Sequence, residues 1–159
     1  MTRRRLPIAA AANPDGRPQS SADRIDGPSD GATGAAASAD TARPDLRDED
    51  LHALLVAFYD RVIPDPLLAP YFAGLDMPAH IPRIADFWST MLFHTGRYSG
   101  NAFAPHLAMP GLDAPHFARW LAHFEATVDA RFAGPSAALA KSLAHRIAFS
   151  MQLRLGVSP

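Results

Sequence analysis

Gly96–Pro110, GRYSGNAFAPHLAMP, carries one histidine, His106, on a short segment bounded by Pro105 and Pro110. The segment is too short to be a core helix in its own right. Phe103, Leu107 and Met109 give it an apolar underside, so the imidazole of His106 is expected to sit against an interior. It lies between two strongly amphipathic patterns, and the fold turns on whether those helices form a filled bundle or enclose something that His106 binds.

Downstream, Asp113 caps a helix with Pro115 in its first turn, and Phe117, Trp120, Leu121, Phe124 and Val128 recur at helical spacing as far as Phe132. Gly134 and Pro135 end it. A last helix follows from about Ser136 to Leu155, with Leu139, Leu143, Ile147, Met151 and Leu155 inward and Lys141, Arg146 and Arg154 on the wet face. Upstream, a helix begins at Pro78 or Ala79 and runs to about His94, its buried stripe being Ile81, Ile84, Ala85, Trp88, Met91 and Leu92. His80 stands at the end of that same face and points inward. Before it, Leu51, Leu54, Leu55, Phe58, Tyr59 and Val62 mark a helix ending near Pro64, and residues 65–72, DPLLAPYF, form a helical turn or packed loop. No segment alternates with period two, so the expected fold is all-α.

Composition confines the core. All 14 aromatic residues of the 159-residue chain lie between Phe58 and Phe149. Residues 1–44 hold 11 Ala, 5 Pro and 4 Gly and no aromatic residue, too little apolar area to offset the entropy of ordering, and are expected to be a disordered tail. The domain is expected over residues 45–157. The tail opens with arginines before an apolar stretch, but Pro7 breaks that stretch and it stops at Asn13, short of an export signal. A formal charge of −1 gives no field to gather nucleic acid or an anionic membrane, and no apolar run approaches a membrane span. Without cysteine there is no disulfide, thiolate nucleophile or iron–sulfur cluster, so any metal is held by nitrogen or oxygen.

Tyr59, His80 and Trp120 each put a polar tip on an apolar face, and each alone reads as ordinary core. Together they would cost about 1–3 kcal/mol apiece if buried unpartnered, which points to a polar ligand in the interior. His94, His116, His123 and His145 have polar neighbours and read as solvated or partly buried; His116 and His123, seven apart, share a face that could hold a weak metal site. No Glu-x-x-His pairs recur, so a di-iron bundle lacks its ligands.

Over about residues 47–156 these pieces resemble the group III truncated haemoglobins. The Phe58–Tyr59 pair is similar to the distal pair of that group. His80 with Ile84, Phe87, Trp88, Met91 and Leu92 resembles its distal helix, His106 its proximal histidine, and Trp120 with Leu121 and Phe124 the tryptophan facing the distal pocket. Ala102 and Phe103 depart from the family pattern, where a proline and a less bulky residue are common. The resemblance implies a two-over-two helical sandwich around haem b, held noncovalently because no Cys-x-x-Cys-His is present. It implies His106 as axial ligand, hydrogen bonds from Tyr59 and Trp120 to a bound diatomic, His80 as gate or further contact, and Phe58, Ile84 and Trp88 around the cofactor. Arg83 is the expected propionate partner, with Tyr98 and Arg97 as weaker ones.

The expected function is reversible binding of oxygen, or of NO or CO, by a cytoplasmic monomer with no nucleic-acid or membrane partner. Two alternatives stand beside it. One is a peroxidase-like or NO-detoxifying protein served by an external reductase, since no flavin or nicotinamide motif is present. The other is a haem-free helical interaction module.

Overall fold

A computed structural model describes residues 43–157. The tail expected over residues 1–44 therefore lies, but for its last two positions, outside the described residues. Among the described residues a 3-10 turn at Asp48–Asp50 is followed by six helices: α1 (Leu51–Val62), α2 (Ala69–Phe72), α3 (Met77–Phe93), α4 (Phe103–Leu107), α5 (Ala114–Arg131) and α6 (Pro135–Leu155). No strand occurs among the described residues.

The helix ends follow from local chemistry. Asp50 accepts from the Arg47 amide at 3.0 Å and so starts the turn before α1. Asp76 accepts from the amide of Ala79 at 3.2 Å, with Pro78 in the first turn of α3. α3 stops at His94, whose φ of 56° is left-handed, and Gly96 repeats that turn at 69°. Asp113 caps α5. The cap of α6 comes from far away: Asp45 accepts from the amides of Ser136 at 3.0 Å and Ala137 at 2.9 Å. Gly134 makes this possible. Its φ is 138°, and a Cβ there would meet the Asp45 carboxyl carbon at 2.6 Å.

α1 packs against α3 and α5, α5 against α6, and α4 rests on α6. The predicted face of α1 is the buried one, Leu51, Leu54, Leu55, Phe58, Tyr59 and Val62. Burial of each large side chain there contributes about 1.5–3 kcal/mol. The core falls into two clusters. One runs from Leu46 through α1 to Trp88, Phe124 and Val128; the other, around Phe117, Ala148 and Met151, includes the partly buried Phe103 and Leu112. Leu121 and Ile147 touch both.

Three expected core positions lie elsewhere. Met91 is 37% exposed because the buried arc of α3 turns through Trp88, Ser89 and Leu92, leaving Met91 on the rim. Leu139 is 42% exposed because α6 buries a face of small residues, Ala137, Ala140, Ala144 and Ala148, against its neighbours. Leu107 is 46% exposed at the end of α4, so Phe103 rather than Leu107 supplies the apolar underside.

Candidate functional site

The site is built on α1, α3, α4 and α5. Tyr59 projects from α1 into the core, and its hydroxyl lies 3.1 Å from Nε2 of His80 on α3. The two rings meet edge to face with centroids 5.5 Å apart, and Phe72 of α2 meets the other side of Tyr59 at 5.7 Å. Burial pushes the phenol of Tyr59 well above its ordinary value, so the hydroxyl keeps its proton. Phe58, one residue back, is the hub of the aromatic wall, standing edge-on to Tyr59 at 5.0 Å, Trp120 at 5.3 Å and Phe124 at 5.6 Å. Phe124 in turn is stacked between Trp88 at 4.8 Å and Trp120 at 5.4 Å.

His106 approaches from α4. The segment before it is set by Asn101, whose side-chain oxygen accepts from the amides of Phe103 at 3.0 Å and Ala104 at 3.2 Å. This cap settles the path through Ala102 and Phe103: Ala102 is helical at φ −68°, ψ −20°, and a proline is not needed to start the turn. Nδ1 of His106 donates to the carbonyl of Ala102 at 2.7 Å, because a carbonyl can only accept. That bond fixes the tautomer and leaves Nε2 with a free lone pair; Nε2 makes no hydrogen bond among the described residues. Burial holds the imidazole below its ordinary pKa, against the opposing pull of the Ala102 bond, so it is neutral near pH 7. His80 is lowered too, by burial first and then by the nearby charge of Arg83 and the imidazole of His106.

The other expected site residues divide. Ile84 is partly buried and packs on the core beside Ile81 and Phe87. Trp88 is fully inside, stacked on Phe124. Tyr98 packs edge-on to Phe87 at 5.4 Å and lines a cavity of about 320 Å3 with Phe87, Thr90, Met91, Asn101, Ala102 and Phe103. That cavity borders the segment carrying His106, but Tyr59, His80, His106 and Trp120 do not line it. Arg83 is exposed one turn along α3 from His80. Arg97 is engaged: it holds both carboxylate oxygens of Asp48 at 2.6 Å and bonds the buried hydroxyl of Ser89, which is paired to Thr95 at 2.7 Å.

His116 and His123 turn to different partners. His116 lies against Tyr71 and bonds the Asp113 backbone, whereas His123 bonds Asp65 at 2.8 Å. Among the described residues no three His, Cys, Asp or Glu side chains gather as a metal cage, and no helix is long and apolar enough to cross a membrane. Helical spacing missed two polar groups, the Ser89–Thr95–Arg97–Asp48 chain and Asp65, because each joins residues far apart in sequence. Asp65 had a weak local signal: an acid just after Pro64 and before Leu67, where a turn needs its amides capped.

Two comparisons bear on this arrangement. The chain is 29% identical over 90 residues, 53% of its own length and 71% of the relative, to the group 3 truncated hemoglobin ctb of Campylobacter jejuni. Its fold superposes on the crystal structure of a group III truncated hemoglobin from Campylobacter jejuni with a TM-score of 0.65 and 27% identity, covering 72% of this chain and 94% of the other. No protein-family model matches the chain.

Proposed function

We propose that this chain, related to the group III truncated haemoglobins in sequence and in fold, binds haem b between α3 and α4 and takes up oxygen or another diatomic ligand there. The residues fit the group. A flat apolar ring needs two walls, and the chain has one core cluster behind α1 and α3 and another behind α4, with Ile81, Ile84, Phe87 and Trp120 packed on the core yet still partly exposed. A protein nitrogen would hold the haem iron, and one observation carries the reading: His106 has its Nδ1 locked on Ala102 and its neutral Nε2 left over.

Haem, when bound, supplies an iron centre with a coordination position open to a diatomic ligand. The chain's own residues determine what happens around that position. Tyr59 is the principal donor, because burial keeps its proton in place. If Nε2 of His80 carries the proton, His80 donates to the Tyr59 oxygen and turns the phenol proton toward the cleft; in the other tautomer Tyr59 donates to His80 instead. His80 is therefore an orienting group for Tyr59 as well as a barrier at the mouth. The indole N–H of Trp120 makes no hydrogen bond among the described residues and is a second donor for the ligand. Arg83, exposed beside His80, is the candidate partner for a propionate.

Two donors on one ligand slow its release, which favours sensing, scavenging or redox use over transport. The working unit is read as a cytoplasmic monomer with its globin domain over residues 45–157, drawing electrons for any redox turnover from a separate reductase. Titrating haem into the purified chain tests the reading. The expected result is saturation at one equivalent with a Soret band that responds to dithionite and to CO; folded protein that gives no such band ends it.

A further inference from the structure

We propose that Asp65 is a positioning residue for the distal wall of the cleft: its carboxylate ties α5 to the α1–α2 corner and so sets where the Trp120 indole stands relative to Tyr59. As regards ligand retention, this rests on the haem-pocket reading above. The side chain of Asp65 is 4% exposed and divides its two oxygens between two parts of the fold. Oδ1 accepts from the amides of Leu67 at 2.9 Å and Leu68 at 3.3 Å. Oδ2 accepts from Arg119 at 3.0 Å and from Nε2 of His123 at 2.8 Å.

Each oxygen holds a segment that carries a residue of the proposed cleft. Leu68 is the residue before α2, which carries Phe72 against the Tyr59 ring. Arg119 and His123 are one helical turn apart on α5, and Trp120 follows directly on the first. One carboxylate thus joins the segment bearing Phe72 to the turn bearing Trp120. An apolar side chain of similar size would fill the space, but it would not fix the register of α5 against the corner. A buried carboxylate is tolerated only because four donors offset its desolvation. Trp120 needs such a fix, since it is only half-buried and its held contacts are aromatic, edge-on to Phe58 and stacked on Phe124.

The test uses the full chain labelled with 5-fluorotryptophan and purified without haem, so that Trp88 and Trp120 each give one fluorine resonance. Asp65→Asn is expected to move the Trp120 resonance more than that of Trp88, whereas Asp129→Asn, which breaks the exposed pair between Asp129 of α5 and Lys141 of α6, moves neither. Arg119→Lys gives a smaller shift in the same sense and serves if Asp65→Asn does not fold. An unmoved Trp120 resonance, or a Trp88 resonance that moves as far, overturns the proposal. In haem-loaded protein, Asp65→Asn should raise the rate of oxygen dissociation by about twofold to tenfold, the effect of weakening one hydrogen bond. That rise should vanish in a Trp120→Phe background; a rise of equal size there overturns the proposal. Protein that takes up no haem ends the haem reading, and the fluorine shifts then decide the placement of Trp120 by themselves.

Discussion

The hydroxyl of Tyr59 and Nε2 of His80 stand 3.1 Å apart, joining α1 to α3 across 21 residues of sequence. The bond gives a buried phenol a polar partner, and the tautomer of His80 decides which of the two donates and so whether the phenol proton is left free. Tyr59 and His80 are therefore a coupled pair rather than two independent side chains.

Removing one half of the pair should expose this coupling. Tyr59→Phe is expected to speed oxygen dissociation from the haem-loaded protein by about twofold to tenfold. His80→Leu should also speed it, because Tyr59 loses its orienting partner, and in the double variant the two effects should not add. Stopped-flow dissociation rates check this; additive effects would uncouple the pair.

Phe58 holds Tyr59 and Trp120 together and is 1% exposed. Phe58→Ala should lower the unfolding free energy by about 3–5 kcal/mol, measured by urea denaturation. A loss below about 1 kcal/mol would mean that the aromatic wall is held elsewhere.

Acid stability should depend on Asp65. The His123 hydrogen bond, helped by Arg119 and the amides of Leu67 and Leu68, lowers its pKa to about 2 against the opposing effect of burial. A carboxyl with a depressed folded-state pKa stabilises the fold above its unfolded value near 3.8 and loses that contribution as pH falls toward 2. Asp45, lowered mainly by the Ser136 amide, acts in the same direction. Thermal melts from pH 5 to about 2 should fall more steeply for the parent than for Asp65→Asn, whose melting temperature starts several degrees lower; parallel curves would contradict this.

Gly134 marks where the cap of α6 meets the entering chain. Gly134→Ala combines an unfavourable φ with a Cβ driven into Asp45, and should cost at least about 1 kcal/mol. A variant as stable as the parent by chemical denaturation would show that Asp45 can move aside.

The helices were legible because hydrophobic spacing and Pro–Gly stops agree for α1, α3 and α5, with an Asp cap opening the last two. The misplaced side chains share a cause. Leu139 and Met91 have the right residue type at the right spacing, but the buried arc was decided by what each helix packs on: close alanine contacts for α6 and Ser89 for α3. Within the candidate site, the apolar faces that carry His106, Tyr59 and His80 could be read one by one. The bond between the last two, the Asn101 cap and the Asp65 bridge could not, since each depends on geometry that helical periodicity does not encode. Arg97, expected as a weak propionate partner, is taken up by Asp48 and Ser89, a pairing across 49 residues.

The central claim is that His106, and not His80, would hold the haem iron. The most direct measurement is haem retention in His106→Gly and His80→Gly beside the parent chain, followed by the Soret band after gel filtration with folding monitored by far-ultraviolet circular dichroism. The account predicts that folded His106→Gly loses the haem, or regains it only when free imidazole is added, while His80→Gly keeps it. Retention by His106→Gly without imidazole, or loss from His80→Gly alone, would contradict it.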